Sequence, residues 1–336
     1  MRETTTHTTG ETHIGRARQE LARRNRKASM RSWRTRCLVI LAVVALVASG
    51  CGNDGGEPAP AGDGGDQQSG GQAQAVSVVA DDYEFTDAPV ELEGGAVDLS
   101  FDNQGEVSHE FALAGIGDTP VDQFVKEFGP VLEGGPFPDY LDQVAVPIEL
   151  EGGASGGATF TVTEGNYVMF CALTGVVEGD KKAPHYELGM IQELTVSGGE
   201  AVPQLPEADG TITATDYAFE ADLEAGDSSV NFVNEGPDQV HFASVSVYPE
   251  GTDAAEAEEA FKALVQAEGK PPKGLPQSED VGFSGIYSDG LGGQFQLFQG
   301  EFESGRTYLF SCFIQDRAGG PPHAIAYDMY EAVTIE

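Results

Sequence analysis

Positive charge is what this 336-residue chain has least of: 18 Lys and Arg stand against 55 Asp and Glu, a formal net charge of −37. Ten of the 18 fall within residues 1–50, beside only Glu3, Glu11 and Glu20, so the remainder holds eight basic residues against 52 acidic ones. A surface of that sign repels phosphate, which excludes nucleic acid and anionic lipid as partners of the folded part. The acid reads first as a solvating surface, with steering toward a basic partner as the alternative. Cysteine is scarce too: Cys37, Cys51, Cys171 and Cys312 are the full set. No phosphate-binding loop and no HExxH occurs, which removes the nucleotide-hydrolase and zinc-protease readings. The Gly-rich pieces at 151–158 and 290–293 fall between strand-like runs and read as turns.

The basic N-terminal part has its own logic. From Met30 the chain reads MRSWRTRCLVILAVVALVASGC. Arg31, Arg34 and Arg36 form a positive n-region, Leu38 to Ala48 an apolar core, and Ala48-Ser49-Gly50 a small-residue junction before Cys51. That is a secretory signal, and its apolar run is shorter than the roughly 20 residues a membrane span needs. Small residues directly before a Cys resemble the bacterial lipobox, which implies a lipid on Cys51 as the new N-terminus. An uncleaved anchor is the alternative. The expectation is a signal peptide over 1–50, with translation starting at Met30, and a protein held by lipid on the extracytoplasmic face of a bacterial cell membrane. Residues 51–75 are rich in Gly, Ala, Asp, Gln and Pro and cannot bury a core, so they read as the anchor and a flexible tether.

Beyond the tether the sequence repeats once. Asp82-Tyr83-Glu84-Phe85 recurs as Asp216-Tyr217-Ala218-Phe219, and Phe101-x-Asn103-x-Gly105 as Phe232-x-Asn234-x-Gly236. Tyr167-x-x-x-Cys171 recurs as Tyr308-x-x-x-Cys312. Such duplication predicts two tandem domains, 76–198 and 209–336, on either side of a Gly/Pro-containing linker. Within each, short alternating runs such as Val97-x-Leu99-x-Phe101 and Tyr308-x-Phe310-x-Cys312 predict strands, with Tyr, Met or Phe, and Cys on one inward face. One helical insert per copy follows Asp118-Thr119-Pro120 and Thr252-Asp253, the second closed by Gly269. The fold class is therefore all-β: two Greek-key sandwiches, each with a helical insertion.

The rare residues fall into this repeat. After Cys51 there are four His, two Cys and three Met. All four His, both Cys and two Met take equivalent slots: His109, Cys171, His185 and Met190 in the first copy, His241, Cys312, His323 and Met329 in the second. Two imidazoles, a thiolate and a thioether suit a metal cycling between Cu(I) and Cu(II), whereas zinc prefers four strong donors and rarely uses Met. Each residue also has an ordinary reading: a core His, a filler Met, or a disulfide between Cys171 and Cys312 joining the two copies.

These motifs resemble those of the cupredoxins, the blue-copper proteins. GNYVMFC (165–171) looks like the strand delivering the copper-binding Cys, FDNQGEVSHEF (101–111) like the one delivering the first His, and His185 with Gly189-Met190 like the second His and axial Met. The resemblance covers most of 76–336 and implies type 1 copper, one or two ions per chain, and a redox protein as partner. Two spacings depart from the family's. Thirteen residues separate Cys171 from His185 and ten separate Cys312 from His323, where electron carriers keep two to four. Five residues separate His323 from Met329, with Tyr327-Asp328 before the Met. Three function classes stay open: a copper electron carrier, a metal-free binding module on the same fold, and a copper enzyme. The last needs further histidines, and two type 1 sites would consume all four.

Overall fold

The computed structural model describes residues 73–336 apart from 179–180, 200–202, 268, 271–272 and 299. The signal, Cys51 and nearly all of the tether lie outside the described residues. The chain is all-β. The first copy supplies β1 (Gln74–Asp81), β2 (Glu84–Asp87), β3 (Glu91–Glu93), β4 (Gly95–Asn103) and β5 (His109–Gly115). It continues with α1 (Val121–Glu127), α2 (Gly129–Leu132), β6 (Val144–Leu150), β7 (Ser155–Val162) and β8 (Gly165–Phe170). It closes with β9 (Thr174–Glu178), β10 (Lys181–Pro184) and β11 (Ile191–Ser197). The second copy runs β12 (Gly210–Thr215), β13 (Ala218–Asp222), β14 (Ser229–Asn234), β15 (Val240–His241), β16 (Ser244–Val247) and α3 (Ala254–Gln266). After these come β17 (Glu279–Phe283), β18 (Ile286–Ser288), β19 (Gly292–Gln296), β20 (Thr307–Ser311), α4 (His323–Ala326) and β21 (Tyr330–Thr334).

The repeat is visible in the pairing. β1 lies parallel to β4 and antiparallel to β2, as β12 does to β14 and β13. β8 pairs with β5 and β11, as β20 does with β16 and β21. The alternation of β4 places Val97, Leu99, Phe101 and Asn103 inward, all buried. β8 departs from the expected single inward face, because Tyr167, Val168, Met169 and Phe170 are all buried. The helical insert is the reason. Phe124 of α1 and Phe128 place their rings 5.0 Å from that of Phe170, covering the side of β8 that would otherwise face water. In the second copy Ala257, Ala260 and Phe261 of α3 cover Leu309 of β20 in the same way.

The inserts begin differently. Asp253 caps α3, accepting from the Glu256 amide at 2.9 Å while the Glu256 side chain reaches back, a full capping box. Before α1, Pro120 is itself the N-cap rather than the first helical residue, and no side chain caps the helix.

The two copies share their sheets. β2-β1-β4-β7 of the first copy continues through β19-β14-β12-β13 of the second as one eight-stranded sheet. β3-β11-β8-β5-β6 likewise continues into β18-β15, a seven-stranded sheet. At these seams Phe160 pairs with Gly293, and Val146 with Ile286. Gly293 is required there, since a β-carbon on it would fall 1.8 Å from the Tyr287 hydroxyl. A loop from the second copy also docks on the first: the Phe137 amide donates to the Arg317 carbonyl at 2.8 Å, and the Arg317 guanidinium donates to the Leu141 and Asp142 carbonyls. One edge of each first-copy sheet is thus paired with a strand of the second copy.

Candidate metal centres

Each copy brings two imidazoles and one thiol to a single buried point. His109 opens β5, and Cys171 follows the last residue of β8, the strand beside it. His185 then opens a single 3-10 turn, His185–Leu188. Nδ1 of His109 stands 3.1 Å from Nδ1 of His185, which stands 3.4 Å from Cys171 Sγ. In the second copy the two Nδ1 atoms of His241 and His323 are 3.2 Å apart, and Cys312 Sγ lies 3.8 Å and 3.6 Å from them. All six side chains are buried. Both cysteines are free thiols, so the disulfide alternative does not hold.

The long Cys–His spacings are hairpin excursions. β9 and β10 leave and return with Pro184 paired to Thr174, and the His185 amide then donates to the Leu173 carbonyl at 2.8 Å. In the second copy Gln315 bridges to Pro322, and the His323 amide donates to the Ile314 carbonyl at 2.8 Å. Where each hairpin closes, the Cys and the second His stand as if two residues separated them. The longer His–Met segment of the second copy is absorbed similarly. A turn of α-helix, α4, replaces the 3-10 turn, and Asp328 takes the left-handed backbone (φ 53°) that Gly189 takes in the first copy (φ 115°). Met190 and Met329 end in matching places, both fully buried. Their carbonyls accept from the Cys171 and Cys312 amides at 3.2 Å, and their amides donate to the His185 and His323 carbonyls.

Residues that sequence reasoning did not single out hold these groups in place. Asn103 is fully buried; its amide nitrogen donates to the carbonyls of Val107, Leu150 and Glu151, and its oxygen accepts from the Gly105 amide. It thereby fixes the loop that delivers His109. Asn234 does the same with Gln239, Tyr287 and Gly236 ahead of His241. The recurring Asn was the available signal. Glu110 had none: its amide donates to Cys171 Sγ at 3.3 Å, and its buried carboxyl accepts from the Ala172 amide at 2.6 Å. The formal Gly-x-Ser-x-Gly at 153–157 is no nucleophile elbow, since Ser155 is the exposed first residue of β7 and donates to Asp102.

Burial sets the electrostatics. It pushes His109 down to about 4, with Asp82 and Asp81 opposing, and pushes His185 down to about 3, helped by His109. His241 falls to about 3 for the same reason and His323 is also lowered. Burial raises Cys312 to about 12 and Cys171 well above the usual thiol range. Neutral imidazoles are what a metal requires, and a buried thiolate needs a cation to exist. The distances also fit: with bonds of about 2.0 Å to nitrogen and about 2.3 Å to sulfur, donors around one ion stand about 3.3 to 3.7 Å apart. The Nε2 atoms of His109, His241 and His323 have no hydrogen-bond partner, leaving Nδ1 as the inward donor of each ring. The donor set and geometry fit a soft transition metal, and copper in particular.

Among known proteins, no family model and no curated sequence matches. Solved structures do. Auracyanin B is 30% identical over 37% of this chain and 89% of its own, with a TM-score of 0.26. The chain belongs to the cupredoxin superfamily. What decides this is that identity together with two His–Cys–His groups in the expected strand-end positions. Auracyanin A, a "blue" copper protein of Chloroflexus aurantiacus, is 20% identical over 38% of this cupredoxin and 100% of its own chain (TM-score 0.27). A multicopper oxidase is 13% identical over 78% of this chain and 88% of its own (TM-score 0.21). These TM-scores carry no argument by themselves.

Proposed function

We propose that this cupredoxin is a membrane-anchored, extracytoplasmic electron carrier with two type 1 copper centres. His109, Cys171 and His185 hold the first ion with Met190 as the axial contact; His241, Cys312 and His323 hold the second with Met329. The ion supplies one-electron exchange. The chain supplies a rigid, water-excluding cradle that changes little between oxidation states. The observation that carries the reading is the convergence, twice, of two imidazoles and a thiol on one buried point. The four His of residues 51–336 are all drawn into these groups, which leaves none for a separate catalytic copper cluster and favours a carrier over an oxidase. Attachment is through lipid on Cys51, with 52–75 as tether and a redox protein as partner.

The test is to add Cu(II) to the protein and record its visible spectrum. Two equivalents should bind and give an intense blue band, roughly halved in Cys171→Ser and in Cys312→Ser and absent in the double variant. A colourless protein with both thiols free would refute the copper reading and leave the metal-free binding module. For the anchor, Cys51→Ala should abolish labelling by radioactive fatty acid; persistent labelling would refute it.

A further inference from the structure

The two centres differ beside the second imidazole, as they do beside the cysteine, where Glu110 of the first copy has Phe242 as its counterpart. Asp316 follows Cys312 by four residues, as Gly175 follows Cys171. Its Oδ1 stands 3.4 Å from Nε2 of His323, within ion-pair reach though not aligned as a hydrogen bond. The carboxylate is clamped from the other side by two hydroxyls, Tyr217 donating to Oδ1 at 2.7 Å and Tyr327 donating to Oδ2. The Tyr217 and Tyr327 rings stack 3.8 Å apart, 19° from parallel, and Tyr217 also meets the His323 ring edge-on. In the first copy this place is closely packed. A β-carbon on Gly175 would come within 3.0 Å of His185 Nε2 and 2.9 Å of the Tyr83 hydroxyl. Tyr327, moreover, belongs to the His–Met segment that is one residue longer than in the first copy, where Gly189 stands four residues after the His. Both breaks in the repeat therefore serve one cluster.

Resting on the copper reading above, we propose that Asp316 is a positioning residue for His323 and lowers the reduction potential of the second centre. With Nδ1 turned inward, Nε2 carries the proton, and a carboxylate beside it fixes that tautomer and raises the basicity of the ring. A negative charge next to a ligand favours the more positive oxidation state. Among the described residues, the Gly175 backbone and the Tyr83 ring stand at the corresponding place beside His185.

The experiment measures the potential of each centre separately, the second in the Cys171→Ser protein and the first in the Cys312→Ser protein, by spectroelectrochemical titration. The first should be unmoved by changes at Asp316. Asp316→Asn, which keeps shape and loses charge, should lower the Cu(II)/Cu(I) affinity ratio of the second centre about tenfold, which raises its potential by about 59 mV for a one-electron couple. Asp316→Gly should raise it as well. An Asp316→Asn protein that forms the blue centre at an unchanged potential would overturn the proposal. If the wild-type chain binds no copper, the copper reading fails, and the positioning role is read in the metal-free protein by nitrogen-15 NMR of His323. A dominant Nε2–H tautomer that is lost in Asp316→Asn supports it; the same tautomer in both proteins overturns it.

Discussion

Replacing Asn103 by Ala should cost about 3–4 kcal/mol of stability and loosen the first centre without touching a metal ligand. Asn103 is fully buried, and its two N–H protons are shared among the carbonyls of Val107 (2.9 Å), Leu150 (3.1 Å) and Glu151 (3.1 Å), while its oxygen takes the Gly105 amide at 3.0 Å. Three hydrogen bonds are therefore lost at once, at about 1 kcal/mol each net, and the emptied volume adds up to about another 1 kcal/mol. The damage reaches the site through Gly105, where a β-carbon would lie 3.1 Å from His109 Nε2, so this backbone packs directly on the ring. A ligand freed to this degree should lower copper affinity at the first centre about tenfold, the lower end for outer-shell losses.

The assay is urea unfolding of the metal-free protein, with affinity measured by competition with a chelator. Asn103→Asp sharpens it: the shape is kept, but a carboxylate then faces three carbonyl oxygens, so the loss should be at least as large despite the smaller change in volume. Asn234→Ala should act on the second centre alone, through Gln239, Tyr287 and Gly236. A loss below about 1 kcal/mol in Asn103→Ala, or an unchanged affinity, would refute the view that this side chain holds the ligand loop.

Three other outcomes follow from the same geometry. At pH 7 burial keeps both thiols protonated and the imidazoles neutral. Each ion bound should therefore release one proton, and affinity should rise about tenfold per pH unit between pH 7 and 9; calorimetry in two buffers of different ionisation enthalpy checks this, and no proton release would remove the thiolates as ligands. Met190→Leu should keep the blue band and raise the first centre's potential, because a weak axial donor is lost; an unchanged potential in voltammetry would place the thioether outside the site. Gly293→Ala should strongly destabilise the whole protein, since the new methyl collides with Tyr287 at the seam between the copies. A melting temperature within a degree or two of the wild type would show that the seam adjusts freely.

The sequence made some levels of the structure readable and hid others, for physical reasons. β4, β8 and β20 could be found because period-two alternation is a local signal, as was the capped α3. β1 opens at Gln74, two residues ahead of the expected start of the folded part. The seams were not legible: Phe160 and Gly293 lie on strands 133 residues apart, and nothing in either run marks which edge it will meet. The second buried face of β8 was hidden for a related cause, since it depends on where Phe124 and Phe128 come to rest. The residues of the two His–Cys–His groups were legible because they are rare and recur in order. Asp316 and Glu110 were lost among 55 acidic residues, where composition gives no contrast.

The spacings that set this chain apart from its relatives show why separation along a sequence is a poor measure of a site. A hairpin contributes many residues and almost no displacement between its ends, because antiparallel pairing returns the chain to where it left. What the centre requires is that the His185 and His323 amides reach the Leu173 and Ile314 carbonyls, and any excursion that closes on those bonds satisfies it. The freedom is then available for other purposes. In the second copy the excursion carries Asp316 to His323 and Arg317 to the first copy's insert, so one loop serves both the ligand and the junction between copies. A constraint confined to two backbone hydrogen bonds leaves the intervening residues free to diverge, and in this chain they diverge most where the two centres differ.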